Sequence, residues 1–276
     1  MSNISWTEQT WNPIVGCSIA SKGCKNCYAM KMADRICRMS PDSHYRGTVK
    51  SVNGKPVWTG KLNQSPESVL LKPLKRKKPT MYFVNSMSDL FHENVPNKWI
   101  DNCFEVMEQT GLRESPHTYQ ILTKRSKRQM EYMVSNYSGI NPPDNIWLGV
   151  SAEDQEQANI RLPYLRHTPA AKRFVSLEPQ LEEICFSETA LEGFPGWSTE
   201  LEYLDWVIQG CESGPNARGF NLDWARLTRN QCRALGVPYF LKQTIDANGK
   251  LDRSQMLDGI KHNAMPKQLA RDDLLT

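Results

Sequence analysis

Short apolar runs rich in β-branched or aromatic residues recur along the chain, and each one ends in a polar cluster. The six runs are Met81–Val84, Tyr119–Leu122, Ile146–Val150, Arg173–Val175, Trp206–Ile208 and Val237–Leu241. A further strand is predicted just before Cys17. Amphipathic segments of helical length lie between most of these runs, at 97–111, 126–136, 154–165 and 223–235. Apolar strands that alternate with helices indicate an α/β fold with a parallel sheet covered on both faces.

The polar clusters that follow the strands are predicted to meet. In parallel α/β architectures the C-terminal strand ends lie on one face, and the active site is built there. The side chains after each strand are therefore expected to line a single cavity.

The whole chain, 1–276, is predicted to form one domain. Residues 40–72 interrupt the strand–helix pattern and are predicted to be an insertion or lid, and residues 186–204 a surface loop. A short helix is expected near 266–274. For the segment 223–235, Asp223 is predicted to be the N-cap and Gly236 the residue that ends the helix.

Composition is that of an ordinary soluble globular protein, with 39% hydrophobic and 23% charged residues. No apolar run is long enough to cross a membrane, and no signal peptide is recognisable at the N-terminus. We therefore expect a cytoplasmic location in a bacterium or a phage-infected cell. The net charge of +4 does not demand a nucleic-acid partner, but it permits one if the surplus lies on one face.

Three cysteines form the most specific pattern, Cys17-x6-Cys24-x2-Cys27. In a reducing compartment such a cluster more often holds metal than forms disulfides. Three thiolates without an obvious fourth suggest an iron–sulfur cluster with one open iron. A structural zinc site with Cys37 or His44 as fourth ligand, and unliganded core cysteines, are the alternatives.

The other five cysteines are interpreted from their surroundings. Four lie in apolar or helical segments and are expected to be small buried hydrophobic residues: Cys37, Cys103, Cys185 and Cys232. Cys211 lies at a strand tip on the predicted active face, where a role in the site and a purely structural role are both open.

Five longer motifs are spread along the chain: Trp11-Asn-Pro-x-x-Gly-Cys17, Gly23-Cys-x-x-Cys-Tyr-Ala29, Asn85-Ser-Met-Ser-Asp-Leu-Phe-His92, Leu122-Thr-Lys-Arg125 and Gly210-x-Glu-Ser-Gly214. Together they resemble a phage-type domain-of-unknown-function family that is classed as radical SAM-like. The resemblance implies a partial (β/α) barrel of the radical SAM type, with about six to seven parallel strands. It also implies a [4Fe–4S] cluster on Cys17, Cys24 and Cys27, S-adenosylmethionine as the second cofactor, and an electron-donor protein as a partner.

This sequence departs from the usual radical SAM pattern in three places. The first gap between cysteines is six residues rather than three. Asn26 stands before the third cysteine, where an aromatic residue is usual, and Tyr28 follows it. Cys211 stands where the related motif commonly has a second glycine.

The resemblance also implies roles for the strand tips. The second tip would hold the methionine ammonium group, and Ser151 and Glu153 at the fourth tip would hold the ribose hydroxyls. Lys124 and Arg125 at the third tip would neutralise the methionine carboxylate or a substrate phosphate. The candidate cofactor-binding residues are Asn85, Ser86, Ser88, Asp89, Lys124, Arg125, Ser151, Glu153 and Tyr28. Helix-capping roles for the second and fourth tips, and buried ion pairs of Lys124 or Arg125 with Glu178 or Glu212, are the competing interpretations.

The remaining tips supply candidates for substrate chemistry by position alone. These catalytic candidates are Glu178, Glu212, Cys211 and Lys242, with Ser213 and Gln243 beside them. His92 and His117 are expected to be structural.

Two functions from different classes follow. One is a radical SAM enzyme that generates a 5′-deoxyadenosyl radical and modifies an unknown substrate. A nucleic acid or nucleotide is suggested by the basic run Lys72–Lys78 and by Trp6 and Trp11, although the run is also typical of a solvated loop. The other is a non-catalytic module, stabilised by zinc or an iron–sulfur cluster, that binds a nucleotide or a protein.

Overall fold

The computed structural model describes residues 4–186, 199–214, 216–246 and 250–267. In chain order its helices and strands are β1 (Gln9–Trp11), β2 (Ile14–Val15), α1 (Tyr28–Met39), β3 (Val49–Val52), β4 (Lys55–Trp58), β5 (Asn63–Gln64), α2 (Glu67–Leu70), α3 (Lys72–Lys75), β6 (Met81–Val84), α4 (Asn97–Gly111), β7 (Thr118–Thr123), α5 (Ser126–Tyr137), β8 (Ile146–Ser151), α6 (Gln155–Arg166), β9 (Lys172–Leu177), β10 (Trp206–Gly210), α7 (Leu222–Leu235), β11 (Tyr239–Ile245), β12 (Leu251–Asp252), β13 (Met256–Leu257) and β14 (Ile260–Lys261). Two short 3₁₀ turns lie at Lys22–Cys24 and Glu200–Tyr203.

An eight-stranded, mostly parallel sheet organises the molecule, in the order β1-β6-β7-β8-β9-β10-β11-β12. Every pair from β1 to β11 is parallel, and only β12 runs antiparallel, beside β11. This confirms the predicted parallel α/β sheet, with β1 as the strand before Cys17. Within the described residues no pairing between the edge strands β1 and β12 closes the sheet.

Burial on both faces explains why the strands read as continuous apolar runs. All six residues of β8 are buried, as are all five of β10. One face packs on the helices in the main core, and the other carries a smaller aromatic cluster centred on Trp206. Trp6, from the N-terminal segment, closes that second face against Phe83, Phe174 and Trp206. Each such burial contributes about 1.5–3 kcal/mol.

The four predicted helices are present as α4, α5, α6 and α7. One cap differs from the prediction. The N-cap of α7 is Asn221, whose Oδ1 accepts the N–H of Asp223 at 2.9 Å, so Asp223 lies in the first turn. Gly236 ends the helix as predicted, with φ at +69°, because an L side chain rarely adopts that left-handed conformation.

Residues 40–72 form a packed flank on the cysteine side of the sheet. The β3–β4 hairpin lies against α1, and Tyr45 and Trp58 are buried in a third cluster with Met30 and Ala33 of that helix. Trp58 also lines the cavity described below. The segment predicted as an insertion or lid thus forms part of one cavity wall.

Two other predicted segments fall partly outside the described residues. Of the predicted surface loop 186–204, residues 187–198 lie outside the described part of the chain. Residues 199–204 are not a simple surface loop, because they contain the second 3₁₀ turn and bury Leu201 and Leu204 in the main core. The helix expected near 266–274 lies almost entirely outside the described residues. Among those described, no helix combines the length and apolar character needed to span a membrane.

Candidate functional site

The C-terminal ends of the parallel strands meet at a cavity of about 210 Å³. This confirms the predicted convergence of the polar clusters. The predicted site residues that line it are Cys17, Cys24, Cys27, Tyr28, Asn85, Ser86, Ser88, Asp89, Lys124, Arg125, Ser151, Glu178, Glu212, Ser213 and Lys242. Glu153, Cys211 and Gln243 are not among its lining residues.

Cys17, Cys24 and Cys27 lie on the loop between β2 and α1, and this loop forms the wall of the cavity that we call the cysteine wall. The first 3₁₀ turn places Cys24, and Cys27 is the N-cap residue of α1. Burial raises the pKa of Cys17 to about 12, although the charge of Arg125 opposes that rise. Burial also raises the pKa of Cys27. These thiols therefore have to release protons when they bind a metal.

Two glycines shape this loop, each for its own reason. Gly16 has φ at +94°, and a β-carbon there would lie 2.2 Å from the carbonyl oxygen of Lys61. Gly23 instead faces the carboxylate of Glu153, to which its N–H donates at 3.2 Å. The glycines are thus required by neighbouring protein atoms.

Asp89 and Arg125 form a buried ion pair beside Cys17, with Asp89 Oδ2 and Arg125 Nη1 3.2 Å apart. Asp89 also accepts Thr123 Oγ1 at 2.6 Å, the N–H of Phe91 at 3.1 Å and the N–H of Lys124 at 3.0 Å. Its acceptor capacity is therefore used by protein donors. Arg125 Nη1 also lies 3.8 Å from Cys17 Sγ, where a cation favours a thiolate.

His92 and His117 are held in structural positions. The N–H of Asn94 donates to His92 Nδ1, so the neutral ring carries its proton on Nε2 and donates it to Ser18 Oγ at 2.7 Å. Burial lowers the pKa of His92 and also that of His117. His117 Nε2 lies 3.0 Å from the carbonyl oxygen of Pro73, away from the cavity.

Glu153 lies fully buried behind the cavity wall, between two cations. Its Oε2 is 3.1 Å from Lys124 Nζ and 3.0 Å from Arg161 Nη1. Burial raises the pKa of Glu153, but the charges of Lys124 and Arg161 outweigh burial and hold it at about 2. Lys124 Nζ also donates to Ser151 Oγ at 2.6 Å. Neither Lys124 nor Arg125 pairs with Glu178 or Glu212, so the proposed pairings with those residues are wrong.

Glu178 and Glu212 have cationic partners of their own. Lys242 forms an ion pair with Glu178 across the tips of β9 and β11. Arg218 Nη2 lies 2.5 Å from Glu212 Oε1. Burial raises the pKa of Glu212, but hydrogen bonds from Arg218 and Asn26 outweigh burial, so the pKa lies below its ordinary value. Asn26 Nδ2 donates to Glu212 Oε2 at 2.8 Å. Asn26 therefore joins the cysteine loop to the tip of β10.

Asn85 lines the cavity in an unusual backbone conformation. Its φ is +56°, which is uncommon for a residue other than glycine and often marks a functional site. Asn85 Oδ1 accepts the N–H of Ile14 at 3.3 Å, and Nδ2 is buried without a partner among the described residues. A free donor suits a carboxylate or another acceptor, whereas an ammonium group needs acceptors. The donor of Asn85 therefore does not match the ammonium-binding role expected for this tip.

The cavity also has an apolar floor that the sequence did not reveal. Trp6, Phe83 and Leu122 line it, and Trp58 closes the side formed by the β3–β4 hairpin. Trp6 and Trp11 are 3% and 1% exposed, so neither is free to stack on bases at the surface. Phe83 and Leu122 lie in predicted strands, so strand alternation is a signal that could place their side chains on the cavity face. No such pattern surrounds Trp6.

Cys211 is fully buried in the main core, beside Glu212 but facing away from the cavity. The register of β10 against β11 shifts between Gln209 and Gly210. Such an irregularity changes which residues face each side of a sheet. Burial raises the pKa of Cys211 to about 12. The catalytic role suggested for this thiol has no support from its position.

No group of three or more His, Cys, Asp or Glu side chains within the described residues is arranged to hold a single metal ion. Cys37, whose Sγ lies 3.3 Å from the carbonyl oxygen of Tyr45, and His44 do not line the cavity, which removes the support for the zinc alternative. A [4Fe–4S] cluster takes each thiolate on a different iron, so its ligands need no common point. Three thiols on one wall, with Arg125 beside Cys17, fit that donor set.

Comparisons with known proteins complete the description of the site. Neither the curated proteins nor the solved structures that were compared gave a match. One family model does match, over residues 1–266, and therefore covers every residue of the cavity wall. The chain belongs to the family described as "Protein of unknown function (DUF5131)".

Proposed function

We propose that this protein is a radical S-adenosylmethionine enzyme that holds a [4Fe–4S] cluster on Cys17, Cys24 and Cys27. The observation that carries the proposal is that these three thiols form one wall of a cavity at the C-terminal strand ends. Charged side chains from five other strands, β6, β7, β9, β10 and β11, surround the same cavity. The open parallel sheet would then be a partial (β/α) barrel of the radical SAM type.

The cofactor supplies the reactive chemistry and the chain supplies its surroundings. A [4Fe–4S] cluster held by Cys17, Cys24 and Cys27 would supply the one-electron reduction of S-adenosylmethionine, the chemistry that gives methionine and a 5′-deoxyadenosyl radical. The chain would therefore need an electron-donor protein as a partner.

In this proposal the residues around the cavity bind and orient S-adenosylmethionine, and they keep water out. Asn85 Nδ2 offers a donor to a carboxylate, and the Lys124–Ser151 pair offers polar contacts to hydroxyl groups. The floor of Trp6 and Phe83 excludes water, which protects a reactive species from quenching. A module that needed a metal site only for its stability would not require charged and polar side chains at these strand ends.

Anaerobic purification and chemical analysis test the proposal. We expect about four irons and four sulfides per chain. With dithionite and S-adenosylmethionine the protein should release 5′-deoxyadenosine. Cys24→Ala should lose both the iron and this product.

Cys37→Ala is the matched control, because Cys37 lies on the same side of the molecule but does not line the cavity. It should retain iron and product formation. Zinc without sulfide in the wild-type protein, or equal product from Cys24→Ala, would exclude the proposed function.

A further inference from the structure

The charge of the chain is divided unequally along its length. Residues 1–80 contain 14 Lys and Arg against 4 Asp and Glu, a net charge of +10. The remaining residues contain 20 Lys and Arg against 26 Asp and Glu, a net charge of −6. The modest total of +4 therefore conceals a strongly basic segment.

Two residues of that segment, Lys25 and Lys31, lie beside the cavity, and other exposed cations continue from them over the surface. We define the basic flank as Lys25, Lys31, Arg35, Lys50 and Lys55, all of which are exposed. Lys25 stands between the lining residues Cys24 and Asn26, and Lys31 Nζ is 3.8 Å from where a β-carbon on Gly214 would stand.

The other two lysines of the basic flank lie on the β3–β4 hairpin. In its register Val52 pairs with Lys55, and Lys50 lies two residues before Val52, so both lysines share the hairpin's outer face. Trp58, which lines the cavity, lies on the opposite face of the hairpin. Within the described ranges, no carboxylate lies within ion-pair distance of any basic-flank residue. These cations are thus available to an anionic partner.

The cavity interior, in contrast, is electrically balanced. Each cation that lines it has a carboxylate partner: Arg125 with Asp89, Lys124 with Glu153, and Lys242 with Glu178. Its floor is apolar and aromatic, and Trp6 Nε1 is buried there without a partner among the described residues. This floor suits an uncharged, planar group with acceptor atoms, whereas a phosphate would find no unpaired cation in the cavity lining.

We propose that the substrate is a single strand of nucleic acid, with its phosphates on the basic flank and one unstacked base in the cavity. This inference rests on the proposed function for the reaction, but its recognition step stands on charge and shape. A phosphodiester backbone binds exposed Lys and Arg, and a base separated from the stack enters a neutral aromatic pocket. The split between a cationic exterior and a neutral interior matches that substrate in both parts.

The basic run Lys72–Lys78 lies at the other end of the sheet. Lys78 precedes the start of β6, whereas Asn85 of the cavity follows its end. The peptide oxygen of Arg76 accepts Arg113 Nη1 in the segment that leads into β7. These lysines therefore provide a matched control surface that does not border the cavity.

Fluorescence anisotropy with short labelled DNA and RNA oligonucleotides tests the inference on the cofactor-loaded full chain. The variant replaces Lys25, Lys31, Lys50 and Lys55 with Gln, and the control replaces Lys72, Lys75, Lys77 and Lys78 with Gln. We expect the variant to weaken binding about tenfold or more and to reduce the salt slope by about 3. The control should bind as the wild type does.

A second measurement tests the base in the cavity. An oligonucleotide containing 2-aminopurine should gain fluorescence on binding, because that base leaves the stack. Ser213→Trp narrows the cavity rim and should abolish the gain, with anisotropy changed less than about threefold.

Unchanged binding by the four-lysine variant, or an equal loss in the control, would overturn the inference. If the four-lysine variant binds oligonucleotide normally but no longer accepts electrons from an acidic flavodoxin, the inference is also overturned. The basic flank would then be assigned to a protein partner. Formation of 5′-deoxyadenosine without oligonucleotide binding refutes this inference alone. Binding without that product refutes the proposed function alone.

Discussion

The backbone N–H of Gly23 donates to Glu153 Oε1 at 3.2 Å, and these residues are 130 positions apart in the chain. The contact joins the cysteine loop to the segment that follows β8. Glu153 is in turn fixed by Lys124 from the tip of β7 and by Arg161 from α6. One buried carboxylate therefore positions the cysteine wall relative to two neighbouring strand tips.

Gly23→Ala tests how closely the cysteine loop depends on this contact. An added β-carbon would lie 3.0 Å from Glu153 Cδ, and the carboxylate is held by two cations and cannot move freely. We expect a loss of about 1–3 kcal/mol in the free energy of unfolding, measured with urea. Gly219→Ala is the control, because no heavy atom lies within 4 Å of the added carbon. An equal effect of the two substitutions would show that Gly23 is not constrained by Glu153.

The depressed pKa of Glu153 predicts an acid-dependent loss of stability. Its pKa is about 2 in the folded protein, against an ordinary value of 4.5. The folded state therefore favours the charged form, and the resulting stability is complete above pH 4.5 and is lost as the pH falls towards 2.

Glu153→Gln should lack this part of the pH dependence. At neutral pH it should lose about 3–5 kcal/mol, because two buried cations lose their partner. Urea unfolding at a series of pH values measures both effects. The exposed Glu183→Gln variant should follow the wild type, and a parallel pH profile for Glu153→Gln would contradict the prediction.

Arg125→Lys should affect both stability and any bound cluster. The guanidinium donates to Asp89, to Ser18 and towards Cys17 Sγ, and a single ammonium group cannot make all three contacts. We expect a loss of about 3 kcal/mol in unfolding free energy. The exposed Arg233→Lys should change it by less than about 0.5 kcal/mol.

The same substitution should make the midpoint potential of a cluster more negative. A hydrogen bond to a ligating sulfur favours the reduced, more negatively charged state, so losing that bond disfavours reduction. A redox titration followed by electron paramagnetic resonance measures the shift. An unchanged midpoint potential would show that Arg125 does not act on the cluster.

The strands and the convergence of their tips could be predicted because both faces of the sheet are buried. Each strand of the six runs is continuous and apolar, and a parallel sheet brings the residues after each strand to one edge. Asn85, Lys124, Ser151 and Glu178 were placed at the cavity by that argument alone.

The ion pairs could not be predicted because they depend on side-chain reach across that edge. Lys124 extends towards Glu153 on the neighbouring tip, and the more distant Glu178 pairs with Lys242. The orientation of Cys211 depends on the register shift at Gln209. Hydrophobic alternation alone does not report such a shift.

Cys211→Ala tests whether Cys211 only packs in the core or also takes part in the reaction. The thiol is fully buried in the main core, so its loss should reduce unfolding free energy by about 1–2 kcal/mol. Formation of 5′-deoxyadenosine should remain at the wild-type rate, because the side chain does not line the cavity. A rate reduced as far as in Cys24→Ala, with folding intact, would restore a catalytic role for this cysteine.

Asn85→Asp tests the free donor at the second strand tip. The carboxylate keeps an oxygen for the N–H of Ile14 and tolerates the left-handed backbone, so the fold should be retained. The other oxygen replaces the donor with a charged acceptor, which repels a carboxylate. We expect the affinity for S-adenosylmethionine, measured by anaerobic calorimetry, to fall about tenfold or more. Asn53→Asp makes the same change at a similar φ of +49° in the exposed β3–β4 turn, and it should leave that affinity unchanged. Tighter binding by Asn85→Asp would instead show that this tip holds the ammonium group.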